Sequence, residues 1–161
     1  MLRSLLLKPT SLLALALLLV ACSSVDPYLS EYVLSRPAEA ELVGRYHLKW
    51  QTAQKEDPPE VQLSRVSLEL RSDGTFVAEN VPVWRPINDG FALDRIVSTQ
   101  GRWRVESLGS VADGASFREI WGVRFDTPFG FANATGAAAP YGLLFHAGAP
   151  ITGAASYYTR E

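Results

Sequence analysis

From Leu42 onward the chain alternates apolar and polar residues with a period of two, and no segment repeats with the 3.6-residue period of a helix. In Leu42-Val43-Gly44-Arg45-Tyr46-His47-Leu48-Lys49-Trp50, the residues Leu42, Tyr46, Leu48 and Trp50 share one side, and Arg45, His47 and Lys49 the other. That is the pattern of a half-buried strand. Val66, Leu68 and Leu70 then alternate with Ser67, Glu69 and Arg71. Ser72-Asp73-Gly74-Thr75 supplies residues that tolerate the positive φ of a tight turn, and Phe76 and Ala78 begin the return strand.

The pattern continues toward the C-terminus. Gly101–Glu106 alternates with Trp103 and Val105 inward. Phe117–Phe125 is the longest strand candidate, with Phe117, Trp121, Val123 and Phe125 on one face and Glu119 the misfit among them. Tyr141–Ala147 and Ala154–Arg160 are two more strands, joined by a turn over Gly148–Gly153. Val81–Gly90 contains Pro82, Pro86 and Asp89-Gly90 and reads as irregular or as an edge. Gln51–Glu60 and the Gly/Ala-rich stretch Asp126–Pro140 read as loops, the second a mobile one. Its Asn133-Ala134-Thr135 is read as a chance sequon. About seven to eight antiparallel strands must cover their apolar faces, and they do so by closing into a barrel or folding into a sandwich. The expectation is an all-β barrel, with a β-sandwich as the alternative.

The N-terminus follows another rule. Arg3 and Lys8 precede an uninterrupted apolar run, Leu12–Ala21, too short to span a hydrocarbon layer that takes roughly 20 apolar residues. This has the composition of an export signal. Leu19-Val20-Ala21-Cys22-Ser23-Ser24 resembles the bacterial lipobox. The resemblance implies diacylglycerol transfer to the Cys22 thiol, cleavage before it, and a lipid-anchored mature chain. Ser23 rather than aspartate after the cysteine implies, by the same resemblance, delivery to the outer membrane, facing the periplasm. The expected organisation is a signal over residues 1–21, a lipidated tether over 22–41 and one β-domain over 42–161. Within the tether, Asp26-Pro27 places a good N-cap before a first-turn proline, which predicts a short helix bearing Tyr28 and Tyr32 on one side.

Removing 21 residues from 161 leaves 140, enough for one domain. The signal holds two of the 15 basic residues and none of the 17 acidic ones, so the mature net charge is −4. That balance argues against nucleic acid as a partner. Cys22 is the only cysteine, so an acylated chain retains no thiol for a disulfide.

Gly44-Arg45-Tyr46, the Asp-Gly-Thr-Phe hairpin at Asp73–Phe76 and Gly101-Arg102-Trp103 together resemble the lipocalin-like small lipoproteins of bacteria. The resemblance runs over roughly residues 42–107 and implies a small barrel. Such a barrel can hold a ligand, and Trp50, Trp103, Trp121 and Phe145 are then expected to bound an apolar cavity; core filling is the ordinary use of the same residues. Trp84, between two prolines, reads as a loop residue at the barrel mouth or against a partner. His47 and His146 are the only histidines, and neither has metal-ligand company in sequence. No Gly-x-Ser-x-Gly or Ser-x-x-Lys motif is present. Glu119 is the one carboxylate on an apolar strand face. Arg102, Arg104, Arg118 and Arg124 lie on the outward faces of two strands, as a solvated stripe or a contact for an anionic partner. The expected function is therefore non-enzymatic and without a cofactor: a membrane-anchored β-domain that binds a small apolar molecule or lipid. The alternative is an envelope accessory protein that docks another through its loops or outer face.

Overall fold

The Asp73-Gly74 turn forms as its residue types dictate. Gly74 adopts φ +77°, and the Asp73 carboxylate accepts hydrogen bonds from the Thr75 amide and hydroxyl at 2.9 and 2.6 Å. It joins β2 (Ser67–Leu70) to β3 (Thr75–Ile87), the hairpin expected there. The structure, a computed structural model, describes residues 26–52, 65–88, 90–113, 116–126, 129–148 and 153–161. The export signal, Cys22 and most of the Gln51–Glu60 loop lie outside the described residues.

The other strands are β1 (Gly44–Gln51), β4 (Gly90–Asp113), β5 (Ser116–Phe125), β6 (Phe131–Thr135), β7 (Gly142–Ala147) and β8 (Ala154–Arg160). Each pairs antiparallel with the next, and β8 returns to β1, so the eight form a closed barrel. Closure removes the exposed edges that a sandwich would keep. Tyr46, Leu48, Leu68, Leu70, Phe76, Ala78, Trp103, Val105, Val123 and Phe125 fill the interior as their alternation requires.

One end is closed by α1 (Glu39–Leu42), a single turn whose Leu42 is fully buried. The Tyr46 hydroxyl donates to the Leu42 carbonyl at 2.7 Å, and the Arg160 guanidinium donates to the carbonyls of Glu41 and Val43 at 2.7 and 2.9 Å. These bonds satisfy the orphan carbonyls that a helix C-terminus leaves.

Four stretches depart from the sequence pattern. The helix predicted from Asp26-Pro27 is only a 3₁₀ turn, Leu29–Glu31. Asp26 turns one carboxylate oxygen to the Tyr28 amide and the other to the Tyr32 hydroxyl, which ends the turn early. After it the chain extends between β5 and β6. The Val33 amide donates to the Ala134 carbonyl at 3.0 Å, and the Val33 carbonyl accepts from the Trp121 amide at 2.9 Å. One residue thus bridges two strands whose direct pairing stops at Gly122 and Asn133.

Val81–Gly90 is not irregular but the outer arm of β3 and the start of β4. Among the described residues β2 pairs with β3 only through Glu79, and no described strand pairs with that edge of β3 beyond it, where the missing amides of Pro82 and Pro86 break no described ladder bond. Asp126–Pro140 contains β6, of which Ala132, Asn133, Ala134 and Thr135 are all buried. With both faces covered there is no polar alternation to read, and small residues mask the strand propensity. Finally, a bulge at Lys49 changes the register of β1 between Leu48 and Trp50. An odd-residue slip reverses the side-chain face, so Trp50 points outward beside Tyr157, away from Tyr46 and Leu48.

Candidate ligand-binding cavity

Two bulges, after Ala78 and at Asp94, interrupt the pairing of β3 with β4. At the first, Asn80 takes φ +55° while its amide donates to the Ser98 hydroxyl. Bulges bend a strand pair, and here the outer arm of the hairpin reaches β7 and β8. The Trp84 indole N–H donates to the Ser156 hydroxyl at 3.3 Å, and the Phe91 ring lies directly on the Gly148 backbone. Gly148 has φ +86°, and a Cβ there would overlap the ring. Glycine both reaches that backbone conformation and admits the aromatic lid.

Beneath the arm is a partly open cavity of about 290 Å³. Val81, Val83, Trp84 and Phe91 come from the arm, Phe129 and Phe145 from the barrel, and Ser156 and Tyr158 from β8. Behind the lining residues Phe129, Phe145 and Tyr158 the rings continue into the core: Phe76 to Phe125 at 5.0 Å, Phe125 to Phe145 at 5.7 Å, Phe145 to Tyr158 at 5.2 Å and Phe76 to Phe129 at 5.9 Å. These separations are those of favourable edge and offset contacts. An apolar cavity of roughly 150 Å³ is enough to take up benzene, so this one has room for a molecule about twice that size.

Of the four residues expected to bound a cavity, Phe145 alone does so. Trp50 is turned outward by the Lys49 bulge and stacks with Tyr28 at 6.0 Å and Tyr157 at 5.6 Å. Trp103 is buried in the core, its N–H donating to the Arg71 carbonyl. Trp121 packs on the core edge under the Arg36 guanidinium. Trp84 is on a strand rather than in a loop, and it roofs the cavity. Phe91, Phe129, Ser156 and Tyr158 were not singled out by sequence. The one signal that could have found Ser156 and Tyr158 is their two-residue spacing on the last strand, which puts both on its inner face.

The remaining candidates are separated from the cavity. Glu119 and Phe117 sit on the protruding end of the β4–β5 hairpin, opposite Ser110 and Ala112. Arg104 and Arg124 face each other across β4 and β5, and both bind Glu106, at 2.7 and 3.2 Å. His47 contacts Glu161 at 2.7 Å on the outer wall. No group of three or more His, Cys, Asp or Glu side chains converges among the described residues.

His146 belongs to the cavity rim, but its ring meets the N-terminal segment, 3.2 Å from the Tyr32 hydroxyl and 5.4 Å from the Tyr28 ring centroid. Burial holds the imidazole below its ordinary pKa, against the weaker opposing pull of Asp26. The folded protein therefore prefers neutral His146. Stability from this group is present above the ordinary value of about 6.5 and is lost as pH falls below it, because the unfolded chain takes up the proton that the native state resists. The melting temperature should accordingly fall between pH 7 and pH 5, and His146→Gln should fall less over the same interval. Equal slopes in a pair of thermal scans would remove His146 from the acid response.

No family model, curated protein or solved structure matches this chain.

Proposed function

We propose that this is a lipid-anchored protein of the bacterial cell envelope whose barrel binds a small apolar molecule, without catalysing a reaction. The observation that carries the binding reading is the cavity of about 290 Å³, lined by aromatic and aliphatic side chains and roofed by an arm that one indole–hydroxyl bond holds down. Its size falls at the low end of ligand pockets, and most of its lining side chains are apolar, with polar surface among them from groups such as His146 and Ser156. The anchoring reading rests on Leu19-Val20-Ala21-Cys22, with the outer membrane as destination and the periplasm as the side faced.

A second reading, an accessory protein that docks another envelope protein, has one observation in its favour. Phe117, on the protruding β4–β5 hairpin, is 77% exposed. Large apolar side chains so exposed are a common element of contact surfaces when they stand in a patch.

Native mass spectrometry of Ser23–Glu161, secreted to the periplasm and purified without detergent, separates the two. The binding reading expects an added mass that leaves on denaturation, either as purified or after incubation with envelope lipid extract. A bare mass under both conditions would overturn it and turn attention to Phe117.

A further inference from the structure

The bulge at Lys49 sets Trp50 on the outer wall, where an in-register strand would have set it inside with Tyr46 and Leu48. Bulges commonly re-aim a side chain toward a use of its own. On the wall Trp50 stacks with Tyr28 of the N-terminal turn at 6.0 Å and meets Tyr157 of β8 at 5.6 Å. All three are half-buried and none is enclosed. Their polar tips, one indole N–H and two hydroxyls, have no described hydrogen bond. None of them is among the sealed polar atoms without a partner, which belong to His47, Gln51, Thr135 and Tyr158. The Trp84 and Trp103 N–H groups and the Tyr32 and Tyr46 hydroxyls, by contrast, all donate within the protein. The outer cluster therefore combines apolar rings with polar ends left to the surroundings. Tryptophan and tyrosine with one end apolar and the other wet are the residues that gather where a bilayer meets water.

The path of the chain says which surroundings those are. Tyr28 is six residues beyond Cys22, and at 3.6 Å per residue it lies within about 22 Å of that cysteine. Trp50 rests on Tyr28, and Tyr157 on Trp50, so the cluster follows wherever the tether holds the turn. The charges in the same segments are of mixed sign: Lys49 beside Trp50, Asp26 and Glu31 in the turn. Asp26 is already bonded to the Tyr28 amide and the Tyr32 hydroxyl. No single sign of charge dominates, so the rings, and not attraction to anionic headgroups, are the means of contact.

We infer that Tyr28, Trp50 and Tyr157 form a membrane-contact face that lies in the headgroup layer of the bilayer holding Cys22. This rests on the anchoring proposed above and adds an orientation to it: the wall of β1 and β8 that carries the N-terminal turn faces the lipid.

The test uses the acylated mature chain, labelled with 5-fluorotryptophan, in nanodiscs of phosphatidylcholine, a lipid without net charge. The four tryptophans give four ¹⁹F signals. Part of the lipid is then replaced by phosphatidylcholine bearing a nitroxide on its headgroup, which broadens the signals of nearby fluorines. One signal should lose more intensity than the other three, and it should be the one missing from Trp50→Phe, a variant that keeps a ring against both tyrosines. If no signal of the native chain is broadened while the chain stays with the discs, the contact face is overturned and the anchor stands; this arm needs no variant to fold. If the most broadened signal persists in Trp50→Phe, another tryptophan faces the membrane, and the inference again falls alone. Separation of the chain from the discs on washing overturns the anchoring reading itself.

Discussion

Alanine at Gly122 is expected to lower the unfolding free energy by about 3 kcal/mol, the upper range for a single substitution. Gly122 lies on β5 opposite Asn133 of β6. A Cβ built there overlaps the Ala132 carbonyl oxygen, lies 2.5 Å from Leu108 Cδ1 and 3.0 Å from the Asn133 Cα. The Leu108 methyl could rotate away, but the other two atoms are backbone. Ala132 and Asn133 are buried in β6, and β6 is in turn paired to β7, so moving them moves two strands. Leu108 is on Gly122 because β4 bulges between Ser107 and Gly109. The glycine and the bulge are therefore one device, not two. Urea unfolding checks this: the midpoint should drop with little change in the slope. A midpoint within error of the parent would mean that β5 and β6 stand further apart than the structure has them.

Substitution of Cys22 by serine should have the largest effect on location, moving the protein from the membrane to the soluble fraction. Each buried methylene contributes about 0.8 kcal/mol, and two or more acyl chains give lasting attachment where one alone is marginal. Fractionation should be read together with intact mass, so that an uncleaved precursor held by its signal is distinguished from a mature chain. A cleaved, serine-bearing chain still in the washed membrane would overturn the lipobox assignment. The assignment also carries a distance. Asp26 is four residues beyond Cys22, and a chain spans at most about 3.6 Å per residue. Asp26 would thus lie within about 15 Å of the bilayer surface, and its carboxylate is bonded to Tyr28 and Tyr32, the second of which meets the His146 rim of the cavity.

What was legible in the sequence was whatever depends on period two and on turn chemistry. The β2–β3 hairpin, β7, β8 and the inward positions of β1 up to Leu48 follow from alternation, and the Asp73-Gly74 turn from its residue types. The number of strands and the need to cover apolar faces led to a barrel with a sandwich as the alternative, and the β1–β8 pairing decides for the barrel. The cavity was not legible, because irregularities place it. A bulge at Lys49 takes Trp50 out of the interior, and two bulges in the β3–β4 hairpin bring Trp84 and Phe91 over it. A bulge leaves no reliable mark on polarity, since it changes where a side chain points and not what it is. Strand β6 escaped for the opposite reason. Covered on both sides, its small residues carry no alternation. Pro82 and Pro86 misled for a third reason. Proline reports an absent hydrogen bond, and a hairpin arm with one edge unpaired among the described residues can spare it.

The placement of Val33 has a mechanical consequence. A pull on a membrane-attached N-terminus would meet the contacts of Tyr28, Glu31 and Tyr32 first and then Val33, through an amide bound to one strand and a carbonyl bound to the next. The load that reaches Val33 would be divided between β5 and β6. The two strands would be strained together, and the Gly122–Asn133 pairing just beyond the wedge is the first they share. In a tethered protein the share of the load that reaches Val33 would thus fall on a pairing inside the barrel wall, not on a chain end.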